Sequence, residues 1–201
     1  MKIKSAVKHK VYGIDLDGVC FDFLNAFREW LNDALHIHLE EREITSYYWY
    51  KNTDDISEKE FYEEFDKFGD QGHGYRHLKL LPGALEGLKK IHAAGHKIYY
   101  ITNRPLYALA DTISCLEEHG FPQRENLHFA GGPQGKGHKA PLIKKFGVDV
   151  FIDDSPRTLV ELTANTRATV YCRNYKFNEH LDDTFFTRVN NWDEFLAAED
   201  I

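Results

Sequence analysis

From Leu81 onward the chain alternates short apolar runs with amphipathic stretches that end on glycine, and this rhythm leaves few folds open. Pro82-Gly83 opens a helix carrying Leu85, Leu88 and Ile91, and Gly95 stands where a glycine ends one. His96 to Thr102 (HKIYYIT) reads as a strand. Pro105 fits the first turn of a second helix, with Leu106, Leu109, Ile113 and Leu116 as its apolar stripe and Gly120 as its stop. A strand at 127–130 follows, then a short helix from Pro141 to Phe146 stopped by Gly147, and a strand at 148–152. Ser155-Pro156 opens another helix before a strand at 169–172 and a closing helix at 192–198. Strands separated by helices predict an α/β fold: a Rossmann-like parallel sheet with helices on both faces. Ligands of such sheets bind beyond the carboxyl ends of the strands.

The first strand lies much earlier, in VYGIDLDGVCFD (Val11 to Asp22). Side chains two apart on an extended chain point the same way, so Asp15 and Asp17 are expected on one face. Two unpaired carboxylates there repel each other and resist desolvation, and a divalent cation is their natural partner. Between this strand and Leu81 the pattern is helical only. Phe23, Leu24, Phe27, Leu31 and Leu35 recur at helical spacing. An aromatic cluster, TSYYWYKN (Thr45 to Asn52), comes next, and Ser57 with Glu60 forms a capping box opening a helix that carries Phe61, Phe65 and Phe68. The expected organisation is an α/β core of residues 1–23 and 81–201, with 24–80 inserted as a small helical cap.

A chain of 201 residues suits one domain with such an insertion, and 42% hydrophobic residues supply its core. No apolar run is long enough to span a membrane. The basic N-terminus MKIKSAVKHK lacks the apolar stretch of a signal peptide, so a cytoplasmic protein is expected. Cys20, Cys115 and Cys172 are far apart and form no CxxC, which predicts reduced thiols. A net charge of -7 argues against a nucleic-acid polymer as partner. It leaves room for a small anion, because lysines, backbone N–H groups and a metal override the global sign locally. The oligomeric state is left open, a homodimer included.

Three strand ends are chemically loaded: Asp15/Asp17, Thr102/Asn103 and Asp153/Asp154. Each has a bland reading of its own. An isolated DxD is usually a turn, paired acids are favoured at any helix N-terminus, and a threonine merely satisfies a strand end. Together with a lysine they predict a magnesium-assisted phosphoryl-transfer site, since Mg²⁺ takes carboxylate and phosphate oxygens. The metal and lysine neutralise the charge that builds as a carboxylate meets a phosphate, while Thr102 and the Asn103 N–H hold phosphate oxygens. GGPQGKGHK (Gly131 to Lys139) is no P-loop: its spacing is one residue short, and Gly137 stands where Ser or Thr binds Mg²⁺. It reads as a flexible loop presenting a lysine, Lys139 in preference to Lys136, although a solvated lysine is an equal reading of either. His36 and His38 lack further ligand spacing and read as solvated or core residues.

DLDGV at Asp15, the Thr of ITNRP at Thr102, Lys139 and the DD of FIDDSP at Asp153-Asp154 resemble, in order, the four motifs of the haloacid-dehalogenase-like phosphatases. DLDGVCFDF, LPGALEGLKKIH and the closing NNWDEFL are similar to the 5′(3′)-deoxyribonucleotidases within that superfamily. The resemblance implies Asp15 as nucleophile and Asp17 as general acid and then base. It implies Mg²⁺ held by Asp15, the Asp17 main-chain carbonyl and an acid of the Asp153-Asp154 pair. It implies a phosphomonoesterase acting on nucleoside monophosphates, with Phe23 and the cap aromatics Tyr48, Trp49 and Tyr50 around the base, although packing of the cap onto the core is an equal reading of that cluster. A phosphatase for another small phosphometabolite, such as a sugar phosphate, is the runner-up, and a non-catalytic phosphate-binding module the third reading. The chain departs from the family pattern after Thr102, where Asn103 and Arg104 replace the usual serine-led sequence. Asn103 and Arg104 are expected beside the substrate, Arg104 on a second anionic group or at the surface.

Overall fold

The computed structural model describes residues 9–131 and 137–201. Lys136 and the basic residues 1–8 therefore lie outside the described residues, as does most of the loop read above as flexible. Six strands form one parallel sheet: β1 (Val11–Ile14), β2 (Lys97–Thr102), β3 (Leu127–Phe129), β4 (Val150–Asp153), β5 (Thr169–Arg173) and β6 (Thr187–Val189). Their order is β3-β2-β1-β4-β5-β6, so the chain builds outward in one direction from β1 and then reverses. Ile14 at the end of β1 is level with Tyr100 on β2 and Ile152 on β4. The residues that follow these three positions consequently emerge on one edge of the sheet.

Both faces of the sheet are buried, and the two-residue period of the strands divides the core accordingly. Tyr12, Ile14, Ile98, Tyr100, Val150 and Ile152 face one way, against α3 (Ala84–Ala93), α4 (Leu109–Glu118) and α7 (Trp192–Ala198). Ile101, Phe151, Val170 and Cys172 face the other, against α5 (Ala140–Phe146) and α6 (Pro156–Asn165). Strand β6 was not expected. It has three residues and buries only Val189, too little for a periodic signal.

Helix α4 buries Leu116 of its predicted apolar stripe but turns the rest of that stripe outward. Leu106, Leu109 and Ile113 are 51%, 39% and 43% exposed, whereas Ala108, Thr112, Cys115 and Leu116 are buried. The inward face is the one that brings Thr112 to a buried arginine, as described below.

Residues 23–80 contain α1 (Phe23–Leu35) and α2 (Glu58–Asp70), joined by short 3-10 turns, and no strand among the described residues. Asp22 caps α1 by accepting from Asn25 N, and the Ser57/Glu60 capping box opens α2. Their apolar sides meet in an aromatic cluster in which the Phe27 ring lies 5.2 Å from Trp49, 5.5 Å from Phe61 and 5.4 Å from Phe68. Burying rings of this size contributes about 1.5–3 kcal/mol each, so the helices need no sheet beneath them. Polar contacts join this layer to the α/β core: Tyr107 Oη donates to Asp66, Arg76 pairs with Glu118, and Lys176 Nζ donates to the Arg42 carbonyl.

Candidate active site

Strand β1 delivers Asp15 to the carboxyl edge of the sheet, where it is nearly buried. Strand β4 ends in Asp153, which is fully buried, and Asp154 follows at 9% exposure. Lys139, one residue ahead of α5, reaches between them. Its Nζ lies 2.5 Å from Asp15 Oδ1 and 2.7 Å from Asp153 Oδ2, with 1% of the residue exposed. The second Asp153 oxygen accepts from the Ser155 N–H at 2.9 Å, which fixes the carboxylate plane. Asp15, Asp153 and Asp154 each offer one oxygen within 4.8 Å of the others.

Burial pushes the Asp15 carboxyl up to about 7; Lys139 opposes the shift, and Asp153 and Asp17 add to it. Burial raises Asp154 well above the usual carboxylate range, reinforced by Asp153 and Asp15. Burial alone lowers a lysine, yet Asp15 and Asp153 outweigh it and hold Lys139 charged. Counting Asp17 and its partner Arg104, four carboxylates face two buried cations. With all four ionised, two formal negative charges would be left over, the complement of one divalent ion. Hard carboxylate oxygens in this number fit Mg²⁺.

The loops that carry the acids are tied from below. Gly18 has φ +73, and a Cβ on it would stand 2.3 Å from Asp154 Oδ2, so only glycine lets that carboxylate approach. Tyr175 Oη donates to the Gly18 carbonyl at 3.0 Å, and Trp192 Nε1 donates to the Val19 carbonyl at 2.8 Å. The Asn178 side chain, itself fully buried, donates to the Asp154 carbonyl at 2.9 Å, while its Oδ1 accepts from Arg188 at 2.8 Å. The ties from Tyr175, Trp192 and Asn178 have no sequence signal, because each joins distant segments through a main-chain carbonyl.

Asp15 and Asp17 meet different cations, Asp15 pairing with Lys139. The chain leaves the strand after Ile14 and curls, Cys20 N and Phe21 N both bonding to the Leu16 carbonyl. Asp17 instead receives both arms of Arg104, Nε to Oδ2 at 2.9 Å and Nη2 to Oδ1 at 2.7 Å. This corrects the expectation for Arg104: its remaining arm, Nη1, donates to Thr112 at 3.0 Å, and the guanidinium is neither at the surface nor directed at a second anion. Thr102 ends β2, buried, and its Oγ1 accepts from the Arg104 N–H at 3.1 Å. Asn103 Oδ1 is buried with no hydrogen-bond partner among the described residues.

The aromatic residues proposed around a base separate into two groups. Trp49 is buried among Phe27 and Phe61, and Phe23 stacks on Phe27 and Tyr75 at 5.6 and 5.9 Å, so both belong to the aromatic cluster. Tyr48 lies at the surface and Tyr50 donates to Glu58 there. The ring that reaches the acids is Tyr47, which sequence reasoning passed over. Tyr47 is exposed as a residue and its ring lies 5.6 Å from that of Phe177, but its hydroxyl is enclosed. Burial and then Asp154 push that hydroxyl up, against a hydrogen bond from Ser155. Within four consecutive aromatics nothing in the spacing distinguishes it.

The same fold recurs in two solved structures. A predicted phosphoglycolate phosphatase from Haemophilus somnus superposes with a TM-score of 0.68 at 20% identity, covering 95% of this chain and 98% of that one. A HAD family hydrolase from Deinococcus radiodurans, with bound phosphate and sodium, gives 0.65 at 19% identity, covering 95% of each chain. Likeness at this level of identity shows the fold alone, an α/β class built on one parallel sheet. Within it, the chain belongs to the family described as 5′ nucleotidase, deoxy (Pyrimidine), cytosolic type C protein, whose model matches residues 9–199. A provisionally named nucleotidase of Oceanobacillus iheyensis is 32% identical over 118 residues, 58% of this chain and 60% of that protein. A provisionally named 5′(3′)-deoxyribonucleotidase of Chlorobaculum tepidum is 24% identical over 193 residues, 92% of this chain and 87% of that one. The match thus spans about 60% of the length of the first of these relatives.

Proposed function

We propose that the protein is a Mg²⁺-dependent phosphomonoesterase that hydrolyses nucleoside monophosphates through an aspartyl-phosphate on Asp15. The observation that carries the reading is the Lys139 ammonium held between Asp15 and Asp153, with Asp154 within coordinating distance of both. An anionic nucleophile meeting an anionic ester needs such fixed positive charge around it. Asp15, an acid of the Asp153-Asp154 pair and the Asp17 carbonyl would hold the ion, which when bound neutralises charge on the transferring phosphoryl group. In the first step an Asp15 oxygen bonds to phosphorus as the ester P–O bond breaks, and Asp17 gives its proton to the departing oxygen. In the second step Asp17 takes a proton from water as that water attacks phosphorus and frees Asp15. Thr102 Oγ and the Asn103 N–H hold phosphate oxygens, and residues 24–80 serve as the cap over the substrate. A cytoplasmic setting is supported by Cys20, Cys115 and Cys172, all buried and free, and no helix is long and apolar enough to cross a membrane among the described residues.

The deciding experiment is a phosphate-release screen over nucleoside monophosphates and sugar phosphates with Mg²⁺. Release from nucleotides, abolished by Asp15→Asn, is the expected result. Release from sugar phosphates alone would move the protein to the second reading, a phosphatase for another small phosphometabolite. Trp49 favours that alternative, because a ring packed inside the aromatic cluster is not free to stack on a base.

A further inference from the structure

Outside the acids around Lys139, Arg104 paired with Asp17 is the ion-paired cation buried most deeply among the described residues, and its surroundings are built around the arginine. The Arg104 side chain is 0% exposed, while Asp17 is 24% exposed. Every nitrogen of the guanidinium has a fixed partner: two meet Asp17 and the third meets Thr112, whose own hydroxyl donates to the Ala108 carbonyl at 2.7 Å. The guanidinium carbon lies over two aromatic rings, 5.4 Å from the centre of Phe21 and 4.7 Å from that of Tyr75. One ring comes from the loop after β1 and the other from the segment after α2. A guanidinium so enclosed cannot rotate, and its fork dictates the plane of the carboxylate it grips.

Stability alone is a poor account of this arrangement. A buried ion pair is often matched or bettered by apolar residues of similar volume. Helix α4 moreover leaves Leu109 and Ile113 in solvent and turns Thr112 inward, beneath the arginine. The backbone adds a second constraint: the Arg104 N–H donates to Thr102 Oγ1, so a single turn sets the arginine and the phosphate-side hydroxyl relative to each other.

We propose that Arg104 is a positioning residue, which aims the Asp17 carboxyl so that one of its oxygens can pass a proton to the leaving oxygen. The inference rests on the reaction proposed above. Arg104 spends its fork on Asp17 rather than on the ester; it acts through Asp17, and Thr112 acts through Arg104. The proton balance is unchanged: Asp17 loses one proton to the leaving oxygen and regains one from water.

The test uses two esters that differ in their need for that proton. A nucleoside 5′-monophosphate releases a poor alkoxide, whereas p-nitrophenyl phosphate releases a phenolate that departs unaided. Because kcat/KM reports the first step, Arg104→Met should lower it for the nucleotide about tenfold more than for the aryl ester, with little change in KM; general acid catalysis is worth about 10²–10⁴ in all. Arg104→Lys should recover part of the difference, and Thr112→Val should show the same selectivity at smaller size. In an Asp17→Asn background, Arg104→Met should add no further selective loss. Equal losses on both esters, or a full additive loss in the Asp17→Asn background, would make the pair a structural one and overturn the inference. If Arg104→Met fails to fold, Thr112→Val and Arg104→Lys decide by the same ratio. Failure of the reaction itself looks different: the unaltered protein would then hydrolyse neither ester.

Discussion

Gly18 and Asp154 lie so close that a single methyl group cannot be placed between them: a Cβ on Gly18 would sit 2.3 Å from Asp154 Oδ2. The glycine also holds φ +73, which an L-residue adopts at a cost of about 1–2 kcal/mol. Gly18→Ala is therefore expected to displace the Asp154 carboxylate. Mg²⁺ affinity, read by calorimetric titration, should fall at least tenfold while circular dichroism remains that of the folded chain. Unchanged affinity would remove Asp154 from the ion's ligands.

The surplus of carboxylates predicts a large response to the metal. At a free Mg²⁺ concentration about 100 times the dissociation constant, binding stabilises the native state by about 2.7 kcal/mol, or roughly 5–10 °C in melting temperature for a domain of this size. Chelation should reverse the gain. Asp154→Asn should abolish it and leave the metal-free protein as stable as before or more so, because burial already disfavours the Asp154 charge. A melting curve indifferent to Mg²⁺ would contradict the proposed site.

Trp49 and Tyr47 are two residues apart and should fail in different assays. Trp49→Ala empties a packed position between Phe27 and Phe61 and should cost about 3–5 kcal/mol in chemical denaturation, with KM for nucleotides little altered. Tyr47→Ala should leave stability within about 1 kcal/mol and raise KM, since the residue is exposed and its hydroxyl lies among Ser155 and Asp154. The reverse pattern would return Trp49 to the substrate site.

Glu199 provides a pH signature far from the site. Burial by itself would raise its carboxyl, but hydrogen bonds from Lys10, Tyr12 and Tyr171 outweigh it and hold the group below 4.5. A carboxylate depressed in the folded state adds stability above its unfolded value, and that stability is lost as pH falls through the folded value. Glu199→Gln should therefore cost about 1–3 kcal/mol at pH 7, and the variant and parent should converge below about pH 4.5. A difference that persists into acid would mean that packing, not charge, gives Glu199 its weight.

The legible part of the molecule was what local rules govern. Gly95, Gly120 and Gly147, all at positive φ, close the helices whose order makes the sheet parallel, and a parallel sheet puts Asp15, Thr102 and Asp153 on one edge. Three things had no local trace. Arg104 and Asp17 are 87 positions apart, and an arginine after a strand has several equally ordinary destinations. The face that α4 buries departs from its apolar stripe because such a stripe is only a tendency, overridden where Thr112 meets a charged partner. The loop of Tyr175 and Asn178 supports the acids with a phenol and an amide aimed at main-chain carbonyls, a use to which their side chains are not restricted.

The bond from Trp192 to the Val19 carbonyl spans 173 positions. During synthesis, the loop that bears Asp17 and Gly18 leaves the ribosome long before the indole that braces it, and β5 and the Asn178 tie also emerge late. The nascent chain can assemble β1, the aromatic layer and β2 early, but its acids acquire their final spacing only when α7 docks. Catalytic competence should thus arrive in one step once α7 has emerged, rather than growing with chain length.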